Sequence, residues 1–535
     1  MADENRNRRL FLGCFIALVA TAFGFAVRGA VLKDWELQFG LTEEQKGIIG
    51  GVGLFPFAIS IILLSLVIDR IGYGTTMALA FAGHLASALL TIFAPNFQVL
   101  YVATFIYALS NGAVEAVVNP VVATIHRENK THWLNILHAG WPGGIVLGGL
   151  LSILVVTVLG ANPELAEQLP GKPWQWQMTV LLLPIFAYGL LLFGQPFPQQ
   201  ERVAAGVSFR TMLEEFGWAS AYIVSFLIIM GISQMLSVFE LEQLKPILPL
   251  HAAGFALIPA VIFAFFIHSF GRPIFVFLML VMFLLATTEL GTDTWIQDII
   301  GSVRESPTTG TWFLVYTSAI MFVLRFFAGP IVHRISPLGL LAASAAIATV
   351  GLTWLGNAGT TLTMLLAAAT LYAFGKTFFW PTTLGVVSEQ YPRGGALLLN
   401  AIAGVGMISI GTIGGPAIGT LQDRTLASAV ASELPEQFDS LKKTVDGQFF
   451  QYEAIDAAKI ATLPDEDRTQ VQSLQRQTKQ QALAKIAVLP AIMFCCYLAL
   501  IFYYKSRGGY RAQVLTGHAA KDKRFTGGTI GPGEG

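Results

Sequence analysis

Apolar residues along this chain run in blocks of about twenty, broken by short polar connections. The blocks fall near residues 10–32, 47–68, 75–95, 98–125, 134–160 and 177–195. They resume at 219–240, 252–270, 273–296, 311–333, 338–357, 361–388, 396–421 and 486–505. A helix rises 1.5 Å per residue, so each block covers the roughly 30 Å of a bilayer's hydrocarbon core. The pattern predicts fourteen membrane helices, and the fold class is an all-α integral membrane protein. An even number of spans puts both ends of the chain on one side. Short connections on that side carry 17 Lys and Arg against 5 on the other. The positive-inside rule therefore places both termini in the cytoplasm, in a multi-pass protein of the plasma (inner) membrane.

Composition agrees: 54% of residues are hydrophobic and 12% charged, where soluble domains carry about a quarter charged. Zero formal net charge gives no reason to expect nucleic acid. Cys14, Cys495 and Cys496 are the only cysteines, all in apolar runs, so neither a metal site nor a disulfide framework is expected. The first block follows Arg6, Arg8 and Arg9, runs for about twenty residues and is followed by many more like it, which reads as a first helix and not a leader. No HExxH, GxSxG or full GxxxxGK[ST] nucleotide loop occurs, so neither an enzyme nor an ATP-driven pump is expected, and no cofactor.

Shifting the chain by about 265 residues brings landmarks into register. Tyr107-Ala108 meets Tyr372-Ala373, Leu134-Asn135 meets Leu399-Asn400, and Leu41-Thr42 meets Ser306-Pro307; Asp69-Arg70 meets His333-Arg334 one residue off. The expected organisation is a six-helix half at 1–195 and a second at 273–505, containing a soluble insertion at 422–485. A link with two extra helices lies at 196–272, and a cytoplasmic tail at 506–535. The insertion reads as a solvated helical hairpin, with Thr469 to Lys485 running on into the last span. Two six-helix repeats with a site between them are the plan of many secondary transporters.

Polar residues inside the apolar blocks are the candidate chemistry, because a charge at the bilayer centre costs about 2.5 to 3.5 kcal/mol even on insertion scales. Asn111, Glu115 and Asn119 stand four residues apart, on one helix face. Pro120, a short basic loop and a glycine-rich helix with His138 and Trp141 follow. Other intramembrane groups are Arg28, Glu289, Asp293, Lys376 and Trp380; Arg325, in the tenth block, reads as structural. The glycines from Gly140 to Gly149 read as helix-packing positions.

The stretch SLVIDRIGYG, with Asp69, Arg70 and Gly72, resembles the motif GxLxDRxGRR that follows the second helix in the major facilitator superfamily. Ser65 stands for the first Gly, and Tyr73-Gly74 for the basic pair; the second half keeps Arg334 in GPIVHRIS. The resemblance implies a charge-paired cytoplasmic gate at Asp69, Arg70, Gly72 and Arg334. Within the superfamily, NxxxExxxNP followed by Leu-Asn is similar to the fucose:proton symporter and related sugar transporters. That implies a proton-coupling role for Glu115. It also implies that the helices opening each three-helix unit line a cavity, which brings together Arg28, the Asn111 face, Glu289 with Asp293, and Lys376 with Trp380. Two departures stand out: Arg28-Gly29 where those relatives have an aspartate, and His138 where they have a glutamine.

The expected function is secondary transport by alternating access of a small polar solute, a sugar or similar polyol, coupled to protons with sodium as the other candidate ion. Glu115, Glu289 and Asp293 are the proton-coupling candidates. Asn111, Asn119, His138, Trp141 and Trp380 offer hydrogen bonds and aromatic faces to a polyol. Arg28 and Lys376 would instead suit a carboxylate or phosphate ester. A transporter-derived sensor is the reading from another class. The expected partners are the solute, the coupling ion and the lipid bilayer, with the chain acting as a monomer.

Overall fold

The computed structural model describes residues 2–39, 41, 49, 52–238, 247–304, 307–447, 450–460, 462–515 and 529–530. Thr42 and Ser306, from one repeat landmark, lie outside the described residues. Among the described residues, twelve helices are long and apolar enough to cross a membrane. In the first half α1 is Ala2–Phe39, α2 Phe55–Ile71, α3 Tyr73–Ile92, α4 Phe97–Ile125, α5 Lys130–Ala161 and α6 Pro173–Leu192. Helices α7 (Phe209–Val238) and α8 (Pro249–Ile267) form the inserted pair. The second half holds α9 (Pro273–Val303), α10 (Pro307–Arg325), α11 (Ala328–Gly356), α12 (Leu362–Gln390), α13 (Pro392–Glu433) and α14 (Asp465–Lys505). The two that fall outside the twelve are α2, of 17 residues, and α10, which opens on the polar run PTTGT.

The halves meet through equivalent helices: α2 packs on α13 and α5 on α10, while α4 packs on α13 and α5 on α12. Under the repeat α2 corresponds to α10, α4 to α12 and α5 to α13, so each contact has a two-fold-related copy. Small residues let these helices approach. A Cβ added to Gly385 of α12 would lie 2.8 Å from the Cα of Thr131 on α5, so no larger residue fits without moving a backbone.

Prolines in the inner helices remove N–H groups that would cap the carbonyl four residues earlier. Pro120 frees Ala116, Pro142 frees His138, and Pro381 frees Thr377. A side chain answers each freed carbonyl. Asn400 Nδ2 donates to Ala116 O at 3.1 Å, and Arg325 donates to His138 O at 2.5 Å and to Thr377 O at 2.9 Å. Two of these bonds tie one half to the other. Asn135, which the repeat equates with Asn400, also crosses, donating to Thr382 Oγ1 at 3.1 Å.

The 422–485 segment departs from the expected helical hairpin. The ends of α13 and α14 pack together, and strands β1 (Lys442–Asp446) and β2 (Gln451–Ile455) pair antiparallel between them. Its own small core includes Leu426, Val430, Leu441, Ile455, Val471 and Leu474. Asp446, the last residue of β1, pairs with Gln451, and Gly447 opens the connection between the strands. The helix expected from Thr469 to Lys485 is present within α14.

Candidate functional site

At the centre, where the halves meet, Glu115, His138, Trp141, Glu289, Leu290, Arg325, Trp380 and Met407 line a narrow cavity. Glu115 and Asn119 share a face of α4, as their spacing requires, and Asn119 Nδ2 donates to Glu115 Oε2 at 2.5 Å. The Asn119 oxygen then faces His138 Nε2 at 2.9 Å, which assigns the imidazole proton to Nε2. Trp141 lies against Phe25 and Phe57, with ring centroids 5.6 and 6.4 Å away.

The opposite wall is built around Glu289, on a π-helical turn at Thr287–Gly291. Thr287, Thr288 and Thr292 bond back to carbonyls of their own helix, which favours such local distortion. Arg325 Nη2 donates to Glu289 Oε1 at 2.9 Å. The backbone N–H of Trp380 donates to Glu289 Oε2 at 3.1 Å. That N–H is available because α12 breaks near Thr377 and restarts at Phe379, leaving the first N–H groups of the new segment unpaired. Arg325 was expected to be structural; the structure puts it on the cavity wall, joining α5, α9, α10 and α12. The signal for it lay in Pro142 and Pro381, which free the two carbonyls it caps.

Lys376 does not face the cavity as a free cation, contrary to expectation. It is fully buried, forms an ion pair with Asp293, and lies 5.3 Å from the centre of the Tyr372 ring. This pairing closes the Lys376 charge within the second half. The first half differs: the repeat puts Asn111 level with Lys376, and Arg28 level with Asp293. Arg28 is buried at 7% exposure and stacks 3.8 Å from the ring centre of Tyr107, the repeat partner of Tyr372. Its Nη2 donates to Ser87 Oγ at 3.0 Å, whereas Nε and Nη1 make no hydrogen bond of normal geometry and have only Tyr107 beside them. Lys130, Arg202, Arg325 and Lys376 each pair with a carboxylate, and Arg393 lies 4.0 Å from one. Arg28 alone among the described buried cations has none. Nearby, Asn111 Oδ1 takes His84 Nε2 at 2.9 Å, and His84 Nδ1 meets Tyr188 Oη at 3.0 Å. Asn111 Nδ2 is a third buried donor without a partner.

One end of the bundle is shut by a second polar layer. Asp69 forms its ion pair with Arg202 of the link, and not with Arg70, which is exposed with its guanidinium 5.7 Å from the Phe209 ring centre. Gly72 ends α2 at φ +86°, a conformation that favours glycine, and Arg334 is exposed. Lys130 Nζ donates to Glu201 at 2.7 Å and to Ser388 O at 3.1 Å. Thr131 donates through its N–H (2.9 Å) and hydroxyl (2.6 Å) to Glu389 Oε1, binding the start of α5 to the end of α12. Tyr510 donates to Glu389 Oε2 at 2.8 Å; burial, then the neighbouring carboxylate, hold that phenol well above its usual pKa, so it stays a donor. Lys130, Glu201 and Glu389 were not singled out from sequence, because charged residues at helix ends are ordinary.

This architecture defines a helical membrane protein of two inverted-contact halves with a polar cavity between them. The chain belongs to the Major Facilitator Superfamily, whose family model matches residues 14–416. It is similar to a gentisate transporter of Corynebacterium glutamicum, 23% identical over 34% of this chain and 37% of that one. It is also similar to a probable 4-methylmuconolactone transporter of Cupriavidus pinatubonensis, 25% identical over 30% of this chain and 36% of that one. The matched stretch thus spans just over a third of either relative. Among solved structures, the E. coli fucose:proton symporter aligns with a TM-score of 0.55 at 14% identity, covering 91% of this chain and 98% of that one. The proton:xylose symporter XylE aligns at 0.57 and 12% identity, covering 92% and 96%. The human organic anion transporter TETRAN aligns at 0.55 and 13% identity, covering 92% and 99%. These structural likenesses show the fold.

Proposed function

We propose that this chain is a secondary transporter that moves small organic carboxylates together with protons, by alternating access across the plasma (inner) membrane with both termini cytoplasmic. The observation that carries the reading is Arg28: a buried cation with two unfilled donor atoms, beside the unfilled Asn111 Nδ2. Burying a charge without a partner costs several kcal/mol, and an anion supplied during transport offsets that cost. A guanidinium fork with an amide donor suits a carboxylate. The name gentisate denotes such an anion, which supports the same class. A sugar would leave Arg28 uncompensated.

Glu115 is the proton carrier in this reading. Glu289 and Asp293 each have a basic partner, whereas Glu115 has only the amide of Asn119. One carboxyl is therefore free to change charge without breaking an ion pair. The layer of Asp69–Arg202, Lys130–Glu201 and Thr131–Glu389 is the cytoplasmic gate, closed here. Gate opening must break these bonds while Arg325, Asn135 and Asn400 are re-formed or released between the halves. A thermal-shift panel on the purified protein, with gentisate, benzoate, fucose and xylose, tests the class. Stabilisation by the carboxylates that is lost in Arg28→Ala is expected; stabilisation by the sugars alone would sink the proposal.

A further inference from the structure

Beside the closed gate lies a solvent-open cleft with about 1270 Å³ of empty space. Four of its lining residues are Arg272, Arg393, Arg507 and Arg511, and its one acidic residue is Glu215. Formal charge in the cleft is therefore +3. Glu215 is already engaged: Arg272 donates to it twice, at 2.5 and 2.6 Å, and Arg393 lies 4.0 Å away. Arg507 only stacks on Tyr503, 4.5 Å from the ring centre, and Arg511 is exposed; neither has a carboxylate partner among the described residues. Arg507 and Arg511 belong to the segment after α14, while Arg272 and Arg393 belong to the bundle. That same segment is bonded to the gate. Tyr510 donates to Glu389, the Gln513 N–H donates to Glu389 O at 2.8 Å, and the Leu515 N–H donates to Glu201 Oε1 at 2.9 Å. Gln390 Nε2 donates to Arg511 O at 2.8 Å.

The segment is thus held across both sides of the gate while its arginines face two others of like charge. We propose that a phosphate-bearing anion binds in this cleft, bridges the two pairs of arginines, and pins residues 507–515 against the closed gate. Phosphate is the favoured chemistry because it carries more than one charge and matches guanidinium forks from several directions. The anion would come from solution or from the headgroup of an anionic lipid, since the cleft sits at the ends of α12 and α14. Binding would keep Glu389 and Glu201 occupied and so slow gate opening.

Hydrogen exchange of the full-length protein in nanodiscs reads this without knowledge of the transported solute. The Gln513 and Leu515 amides report directly, because their acceptors are the gate residues themselves. In phosphatidylcholine discs, added inorganic phosphate or pyrophosphate should slow both amides several-fold if the anion is soluble. Discs containing phosphatidylglycerol should do so without added phosphate if the anion is a headgroup. The slowing should disappear in an Arg507→Ala/Arg511→Ala variant, whose side chains lie outside the membrane core and whose thermal unfolding should match the parent. Equal slowing in parent and variant, or no slowing with either source, overturns the proposal.

Discussion

Replacing Glu115 by Gln is the substitution that separates proton coupling from anion binding. The two proposed sites share α4. Asn111 and Glu115 are four residues apart, which at 1.5 Å per residue puts a bound carboxylate about 6 Å from the Glu115 carboxyl. At an effective dielectric of about 20, two like charges at that distance repel by about 2.8 kcal/mol. Such a coupling is worth roughly a hundredfold in affinity, and linkage makes it reciprocal: a proton on Glu115 tightens the anion by the factor that the anion tightens the proton. Parent protein should therefore bind a permanently ionised carboxylate up to about a hundredfold more weakly as Glu115 loses its proton. Gln keeps the shape and can still accept from Asn119 Nδ2, but has no proton to lose. Calorimetric titrations from mildly acidic to mildly alkaline pH should give a flat affinity in Glu115→Gln, near the acidic value of the parent. Counterflow should survive in that variant while pH-driven accumulation is lost. If the variant keeps the parent's pH slope, Glu115 is not the coupled group and the electrostatic argument fails.

Arg28 and Arg325 should respond in opposite ways to loss of charge. Arg28→Met should weaken carboxylate binding roughly tenfold to a hundredfold, the range for charge-assisted hydrogen bonds, with no loss of thermal stability. Arg325→Met should destabilise by about 3 to 5 kcal/mol because Glu289 is left charged and unpaired; unfolding in detergent compares the two. Asn400→Leu should cost about 1 to 3 kcal/mol by stranding the Ala116 carbonyl, and much less in a Pro120→Ala background that restores the helical N–H. A double-mutant cycle on thermal stability checks this, and equal costs in both backgrounds would refute the pairing. Glu389→Ala should release Thr131 and Tyr510 together, so a cysteine introduced at Ser388 of a cysteine-free background should label faster with maleimide; unchanged labelling would place the closure elsewhere.

The spacing of apolar blocks carried most of the fold, because a bilayer imposes one length scale on every span. The repeat also carried meaning at single residues. Tyr107 and Tyr372 each sit under a buried cation, and Asn135 and Asn400 both bridge the halves. Site assignment was less legible, because a sequence lists charges but does not pair them. Lys376 and Arg28 looked alike, yet Asp293 pairs with Lys376, while Arg28 has no carboxylate among the described residues. Asp69 looked like a partner for its neighbour Arg70, yet adjacent residues on a helix point to different sides, and Arg202 from the link takes the pair. Arg325 was hidden because its acceptors are backbone carbonyls freed by prolines in two other helices. The β-hairpin was hidden because the surrounding Ala, Gln and Lys favour helix, and its two strands are only five residues each.

Counterflow in proteoliposomes tests the central claim most directly. Vesicles preloaded with unlabelled gentisate should accumulate labelled gentisate transiently, preloaded xylose should not compete, and Arg28→Ala should abolish the overshoot. Counterflow of xylose but not of gentisate, or an overshoot unchanged in Arg28→Ala, would contradict the account.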